Sequence, residues 1–165
     1  MILEPTPPDF GITQEMIDQH LKRDGETVDA ELVAEYFRNA VSTCEAYCNR
    51  KFYQDEGDRR ADFDQALLDY GVAHEEYAVA RDATTDCDVL GVLSDRLISA
   101  RADMKHRCNG KVVDGTMRAA ILLTLGHFYE NRADNETGQG ATAIQLPTGA
   151  RRILEPYLWI GDIGG

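Results

Sequence analysis

Apolar residues recur at alternating intervals of three and four along two long stretches of the sequence, and this spacing constrains the fold more than any other feature. The first stretch runs from about Ala30 to Arg50 and the second from about Gly115 to Arg132. Such intervals place the apolar side chains on one face of an α-helix. The two stripes consist of Val33, Tyr36, Phe37, Ala40, Val41, Cys44, Tyr47 and Cys48, and of Met117, Ala120, Ile121, Thr124, Leu125, Phe128 and Tyr129. We therefore predict an all-α helical bundle in which Leu125 and Phe128 are buried against the first stripe.

Capping residues and prolines mark where further helices begin and end. Side chains that accept hydrogen bonds from free N–H groups are common at helix starts, and proline limits a helix. These signals are Thr13 for a short first helix, Thr27 or Asp29 for the first long helix, Asp114 for the second, and Pro147 and Pro156 for a short last helix. At 165 residues the chain is expected to form a single domain, 1–165.

A further helical pattern occupies the middle of the chain. After a polar stretch at 54–60, which contains Gly57 and is predicted to be a loop, two runs of apolar residues have helical spacing. The runs consist of Phe63, Leu67, Tyr70, His74 and Tyr77, and of Val89, Leu93, Leu97, Ala100, Met104 and Cys108. Polar residues separate the runs, and Asn109-Gly110 is expected to form a turn after the second. We predict a helical hairpin inserted within residues 54–110.

Two segments near the C-terminus lack helical spacing. Residues 133–146 are polar and predict a long flexible loop, of a length that is usually functional or mobile. Its end is apolar, and we expect Ile144 and Leu146 to contact a neighbouring chain, where the segment could pair as an extended strand. Residues 159–165 predict an extended tail that is apolar at its start.

The charge distribution restricts the possible partners. The net charge is −12 and no basic stripe occurs, so binding by neutralisation of nucleic-acid phosphates is not expected. No apolar run is long enough to cross a bilayer, so no membrane partner is expected. The N-terminal segment lacks the basic region and long apolar stretch of a secretory signal. We therefore expect synthesis in the cytoplasm, and four cysteines that are free thiols.

His127 and Glu130 lie three residues apart on a predicted helix and could share a metal ion. A di-iron bundle, however, uses two Glu-x-x-His motifs and two further glutamates, and this sequence contains no such motif. Cys44 and Cys48 lack the spacing of a zinc site and are interpreted as small buried hydrophobic residues. Neither a glycine-rich phosphate loop nor a serine nucleophile elbow is present. We predict no enzymatic activity and no cofactor, and retain a metal-dependent enzyme using His127 and Glu130 as an alternative.

One combination of motifs occupies the C-terminal third: a helix reading MRAAILLTLGHFYENR, a polar loop, LPTG and a short helix ending in LEPY. Its characteristic positions are Arg118, Ala119, Ala120, Ile121, Leu122, Leu123, His127, Tyr129, Asn131, Arg132, Leu146, Pro147, Gly149, Leu154, Pro156 and Tyr157. Near the N-terminus, ITQEMIDQHLKRDG precedes a helix that ends in CEAYCNRKF. In order and spacing these motifs resemble the head–tail connector (adaptor) family of tailed double-stranded DNA bacteriophages, over residues 12–53 and 112–159.

The resemblance implies a structural protein of the virion neck, made in the bacterial host cytoplasm. Proteins of this family form a closed ring, often dodecameric, between the portal protein and the stopper or tail-completion protein. The ring extends the channel through which DNA passes, without sequence-specific binding, during genome packaging and ejection. The chain departs from the family pattern in residues 54–110, where the connection is usually shorter, and at Ala133, where an acidic residue is usual. A non-viral helical interaction module with a similar bundle is the second hypothesis.

The C-terminal segment is the expected contact with the portal or with a neighbouring subunit. Tyr157 and Trp159 would act as anchors, because aromatic side chains dominate the energetics of many interfaces. Arg151 and Arg152 would add charge complementarity to an acidic partner. Ile160 extends the same surface. The alternative is that the apolar tail folds back on the bundle.

Overall fold

Helices form most of the chain that the structure describes, which confirms the predicted all-α class. A computed structural model of the protein describes residues 9–21, 30–131 and 146–161. Its helices are α1 (Gln14–His20), α2 (Ala30–Cys48), α3 (Glu56–Ala83), α4 (Cys87–Cys108), α5 (Gly115–Glu130) and α6 (Thr148–Leu154), the last followed by a 3₁₀ turn over Glu155–Tyr157. Two short strands, β1 (Phe52–Tyr53) and β2 (Lys111–Val112), complete the fold. The residues predicted as a long loop, apart from Leu146, lie outside the described ranges.

Helix α5 forms the centre of the core and packs against α1, α2 and α6. Leu125 is fully buried and Phe128 is nearly so, and both belong to one apolar cluster with the stripe of α2, as predicted. Leu154 brings α6 into the same cluster. Burying a side chain of this size contributes about 1.5–3 kcal/mol to folding. The stability of the bundle therefore comes mainly from the contacts of α5 with α2 and α6.

The two cysteines of α2 face this core as small apolar side chains. Cys44 and Cys48 are fully buried, and all four cysteines of the chain are free, as predicted. The Cys44 Sγ lies 3.6 Å from the Oγ1 of Thr124, whose hydroxyl donates to the Ala120 carbonyl at 2.8 Å. Burial raises the pKa of Cys44 to about 12 and that of Cys48 to about 11. Both thiols are therefore neutral at physiological pH.

The predicted helix starts at Thr13 and Asp114 are confirmed. The Thr13 hydroxyl accepts a hydrogen bond from the Met16 N–H at the start of α1. Asp114 caps α5 in the same way, and Pro147 immediately precedes α6. Helix α2 begins at Ala30, but both candidate caps for it, Thr27 and Asp29, lie outside the described residues.

Two helices end earlier than predicted. Helix α2 ends at Cys48 rather than near Arg50, because Asn49 adopts a left-handed conformation with φ of 51° that terminates the helix. Helix α5 ends at Glu130, and the Asn131 side chain donates to the His127 carbonyl near its end.

The sequence did not predict the strand pair that joins the two ends of the hairpin. Strands β1 and β2 are parallel, with Phe52 opposite Lys111 and Tyr53 opposite Val112. The ring of Tyr53 lies directly over Gly110, where any larger residue would collide with it. The Asn109-Gly110 turn therefore has a glycine because the Tyr53 ring and the Lys51 carbonyl leave no room there for a Cβ atom.

The prediction of a loop over residues 54–60 is wrong, because α3 begins at Glu56. The Asp55 carboxylate accepts a hydrogen bond from the Asp58 N–H at 2.9 Å and caps the helix. Gly57 lies in the first turn, where this cap compensates for its low helical propensity.

Helices α3 and α4 pack against each other along their length and are joined by residues 84–86. Their facing sides agree with the predicted ones only in part, since Tyr70 and Tyr77 of α3 and Leu93, Leu97 and Met104 of α4 are half-buried as predicted. Ala66 and Ala73 are the buried residues of α3, whereas Leu67 and His74, predicted to face inward, are exposed. The prediction weighted large side chains, but small alanines at the contact allow the helices to approach closely. In α4, Val89 and Cys108 were likewise predicted to face inward and are exposed.

Candidate functional site

A cluster of charged and polar side chains closes the base of the hairpin around Asp62. One carboxylate oxygen accepts hydrogen bonds from Lys51 Nζ at 2.8 Å and from the Tyr53 hydroxyl at 2.6 Å, and the other accepts one from Arg107 at 3.0 Å. Burial raises the pKa of Asp62, but these hydrogen bonds and the two cations outweigh burial and bring the pKa below its ordinary value. The cluster ties β1 to both helices, and both Asp62 oxygens are engaged by donors of the protein itself.

The last described residues fold back onto the bundle. The Tyr157 hydroxyl donates to Asp114 at 2.8 Å, and the Trp159 N–H donates to the Cys48 carbonyl at 2.9 Å. The Asn49 side chain in turn donates to the Trp159 carbonyl at 3.4 Å. The alternative that the apolar tail folds back therefore holds at Trp159, and the side chains of Tyr157 and Trp159 are both half-buried. Ile160 is the exception, because 73% of its surface is exposed.

The structure divides the other predicted interface residues into two groups. Arg151 and Arg152 are exposed on α6, and the Arg151 guanidinium lies 6.0 Å from the centre of the Tyr47 ring. Leu146 belongs to the core of the subunit and is only 7% exposed. Its expected contact with a neighbouring chain remains a prediction. Its position is fixed because Leu146 leads directly into α6, whose Ala150 and Leu154 are buried. Ile144 lies outside the described residues.

An open cleft separates the folded-back tail from α4. Its volume is about 590 Å³, and Trp159 and Gly161 line one side while Ser99, Ala102 and Lys105 line the other. The cleft is mixed in polarity and open to solvent. It is therefore better suited to receive a protein segment than to enclose a small molecule.

The surface of the hairpin carries apolar residues that the sequence patterns did not single out. Leu68, Val72 and Val79 on α3 are 65%, 52% and 63% exposed, and Ile98 on α4 is 63% exposed. The sequence does contain a pattern for the α3 residues, since they are spaced by four and seven and so share one helix face. This second apolar face was not predicted because each helix was assigned a single apolar face.

Among the residues that the structure describes, no third metal-ligating side chain joins His127 and Glu130. His127 and Glu130 are both exposed on α5, and the Nδ1 of His127 lies 3.0 Å from the side-chain amide of Asn131. Across residues 9–21, 30–131 and 146–161, no three side chains of the metal-ligating types are grouped closely enough to hold an ion.

None of the helices in the described ranges has the length and apolar character needed to cross a membrane. Comparison with protein-family models, with curated proteins and with solved structures finds no match to this chain.

Proposed function

We propose that this protein is a structural subunit of a bacteriophage neck, which assembles into a closed ring between the portal protein and the stopper or tail-completion protein. The observation that carries the proposal is the ordered set of motifs in residues 12–53 and 112–159, which resembles the connector family. In the fold, these motifs lie on α1, α2, α5 and α6, the helices that build the core. The resemblance therefore concerns a complete packing unit and not one isolated helix.

The surface of the hairpin supports a role in assembly. Monomeric proteins seldom expose large contiguous apolar patches, and such patches commonly mark contacts with other proteins. Here the exposed apolar residues lie on an arm that contributes little to the main core, since α4 has no buried residue. An assembling subunit uses such an arm, whereas a lone domain does not need it.

The net charge supports the role of the ring as a passage for DNA. A protein that neutralises phosphates must break each contact again as the DNA moves. At a net charge of −12, the subunit repels the DNA backbone overall and favours sliding over binding.

The exposed side of α6 and the end of the tail form the proposed portal contact. Arg151 and Arg152 supply positive charge there and Ile160 supplies apolar surface. Tyr157 and Trp159 hold this segment in place through their bonds to Asp114 and Cys48. They position the contact, and Ile160 is its exposed apolar anchor.

Binding to isolated portal rings from the same phage tests the proposal. Wild-type protein should co-sediment with the portal rings and add a ring of density to them in electron micrographs. The double variant Arg151→Glu/Arg152→Glu should bind at least tenfold more weakly, because losing and reversing two charges at an interface disrupts charge complementarity. Arg38→Glu, at an exposed position of α2 outside the proposed contact, is the matched control and should bind normally.

Two results would overturn the proposal. If the wild-type protein does not bind portal rings at any concentration, this would favour a non-viral interaction module. Stoichiometric iron, manganese or zinc in the purified protein would favour the metal-dependent alternative.

A further inference from the structure

The α3–α4 hairpin has two exposed faces on opposite sides. On α3, Leu68, Val72 and Val79 share one face, which lies on the far side of the helix from the buried Ala66 and Ala73. On α4, a second face carries Gly91, Ile98 and Ala102, all exposed, on the far side from the half-buried residues that pack against α3. Ala102, at the base of this face, also lines the cleft beside the folded-back tail. We call these the α3 outer face and the α4 outer face. One hairpin thus presents two different surfaces, directed away from each other.

Ion pairs between α3 and α4 show which residues of the two helices lie side by side, that is, at the same level along the hairpin. Arg96 bonds to Glu76 at 2.6 Å near the tip, and Arg107 bonds to Asp62 at 3.0 Å near the base. Interpolating between these pairs places residues of the two outer faces at matching levels, namely Leu68 with Ala102, Val72 with Ile98, and Val79 with Gly91.

The two outer faces have complementary shapes at these levels. The α3 outer face projects large side chains at Leu68 and Val79. The α4 outer face has small residues at the matching levels, and a Cβ atom placed on Gly91 would meet nothing within 4 Å. Projecting residues can therefore fit beside small ones, as they do where helices pack ridge into groove.

Charged residues flank both faces. Exposed Asp64 and Glu75 flank the α3 outer face, and the α4 outer face has exposed Arg101 and Lys105 on one side and exposed Asp88 and Asp95 on the other. Two α3 outer faces in contact would bring carboxylates together. An α3 outer face against an α4 outer face instead places Asp64 at about the level of Lys105, so opposite charges meet at this position.

We propose that the occupant of each outer face is a second copy of this chain, bound head to tail, with the α3 outer face of one subunit against the α4 outer face of the next. A sideways displacement of one hairpin, with no shift along its length, aligns all three matched levels at once. Head-to-tail contacts of this kind close into a ring when each step includes a rotation. In that respect the inference rests on the proposed function, although the contact itself does not require a portal.

Cysteine cross-linking of the full chain tests the pairing. Cys87→Ser and Cys108→Ser first remove the exposed thiols and leave only the two buried ones. Val72→Cys, Ile98→Cys or both are then added, and the proteins are treated with a short bismaleimide, alone and on portal rings. A mixture of the two single variants should give dimers, each single variant should remain largely monomeric, and the double variant should give a ladder of higher species.

The outcomes separate this inference from the proposed function. If Val72→Cys alone cross-links as well as the mixture, the α3 outer faces pair with each other and the head-to-tail pairing is wrong. If the protein binds portal rings but the double variant gives no ladder there, the inference fails and the proposed function stands. If the ladder forms in free protein that does not bind portal rings, the inference stands and the proposed function fails. If the protein neither binds portal rings nor forms a ladder, both the inference and the proposed function are wrong.

Charge reversal gives a second, independent measurement. Asp64→Lys and Lys105→Asp should each lower the ladder yield about twofold to fivefold, as loss of an exposed ion pair does, and combining them should restore it. Arg38→Asp, exposed on α2, is the matched control and should leave the yield unchanged. A double variant that assembles no better than the single variants would contradict the charge pairing.

Discussion

Replacing Asp114 with alanine should destabilise the fold in two separable ways, because its two carboxylate oxygens make different hydrogen bonds. One oxygen accepts hydrogen bonds at 2.9 Å from the N–H groups of both Thr116 and Met117 and so caps α5. The other accepts the Tyr157 hydroxyl at 2.8 Å and fastens the end of α6 to the start of α5. Loss of the cap costs about 0.5–2 kcal/mol, and loss of the Tyr157 bond adds about 0.5–1.5 kcal/mol.

The expected total for Asp114→Ala is therefore about 1–3.5 kcal/mol, measured by urea unfolding followed by circular dichroism. Tyr157→Phe should cost only the contribution of the hydrogen bond between Tyr157 and Asp114. Asp86→Ala is a matched control, because Asp86 also caps a helix through two N–H groups but lies at the tip of the hairpin, far along the chain from Tyr157. It should cost only the contribution of the cap.

A double-mutant cycle on Asp114 and Tyr157 isolates the bond between them. If Tyr157→Phe costs as much in the Asp114→Ala background as in the wild type, the bond contributes nothing and the reasoning is wrong. The pH dependence gives a further check. Burial raises the pKa of Asp114, but the hydrogen bonds from Met117, Tyr157 and Thr116 outweigh it, so the folded pKa lies below the ordinary value. The stabilisation is present above the unfolded pKa of about 3.9. This stabilisation disappears as the pH falls through the folded pKa. The difference in the free energy of unfolding between the wild type and Asp114→Ala should therefore become smaller in that pH range.

Three further predictions follow from the core and from the hairpin base. Leu125→Ala should lower the free energy of unfolding by about 2–5 kcal/mol, since it leaves a cavity at a fully buried position, and an unchanged melting temperature would contradict the packing. In native protein a thiol reagent should modify the two exposed cysteines and spare Cys44 and Cys48, whose burial raises their pKa; equal reaction of all four would refute this. Asp62→Asn should cost about 1–3 kcal/mol at pH 7, and less below about pH 4, because its folded pKa is lowered and its stabilisation is lost as the carboxylate protonates. A cost that is the same at both pH values would show that the charge of Asp62 is irrelevant.

The sequence predicted those parts of the fold in which large apolar side chains and helical period coincide. The stripes of α2 and α5 are of this kind, and Leu125 and Phe128 are buried as predicted. The facing sides of the hairpin were predicted only in part, because alanine carries little weight in an apolar pattern, although Ala66 and Ala73 make the contact. A strand of two residues is too short to have a detectable period, so the β1–β2 pair could not be predicted.

The candidate site was less predictable than the core, because it depends on contacts between residues far apart in the chain. The aromatic character of Tyr157 suggested an interface anchor, but its hydroxyl is bound to Asp114, 43 residues earlier. Leu146 was expected at a chain contact because it ends a short apolar run after a polar segment, yet it belongs to the core of the subunit. The α3 outer face does have a sequence signal, but an amphipathic pattern does not indicate which of two apolar faces packs internally.

The strand pair has a consequence for how the hairpin can vary in length. Strands β1 and β2 hold the two ends of the hairpin side by side. Insertions or deletions in α3 and α4 can therefore lengthen or shorten the hairpin without disturbing the bundle. The facing residues of α3 and α4 repeat about every seven residues, so only paired insertions or deletions of seven keep the same sides in contact. Each such step changes the reach of the arm by about 10.5 Å, at 1.5 Å per helical residue. Homologous chains with arms of different length should therefore differ by multiples of seven residues in each helix.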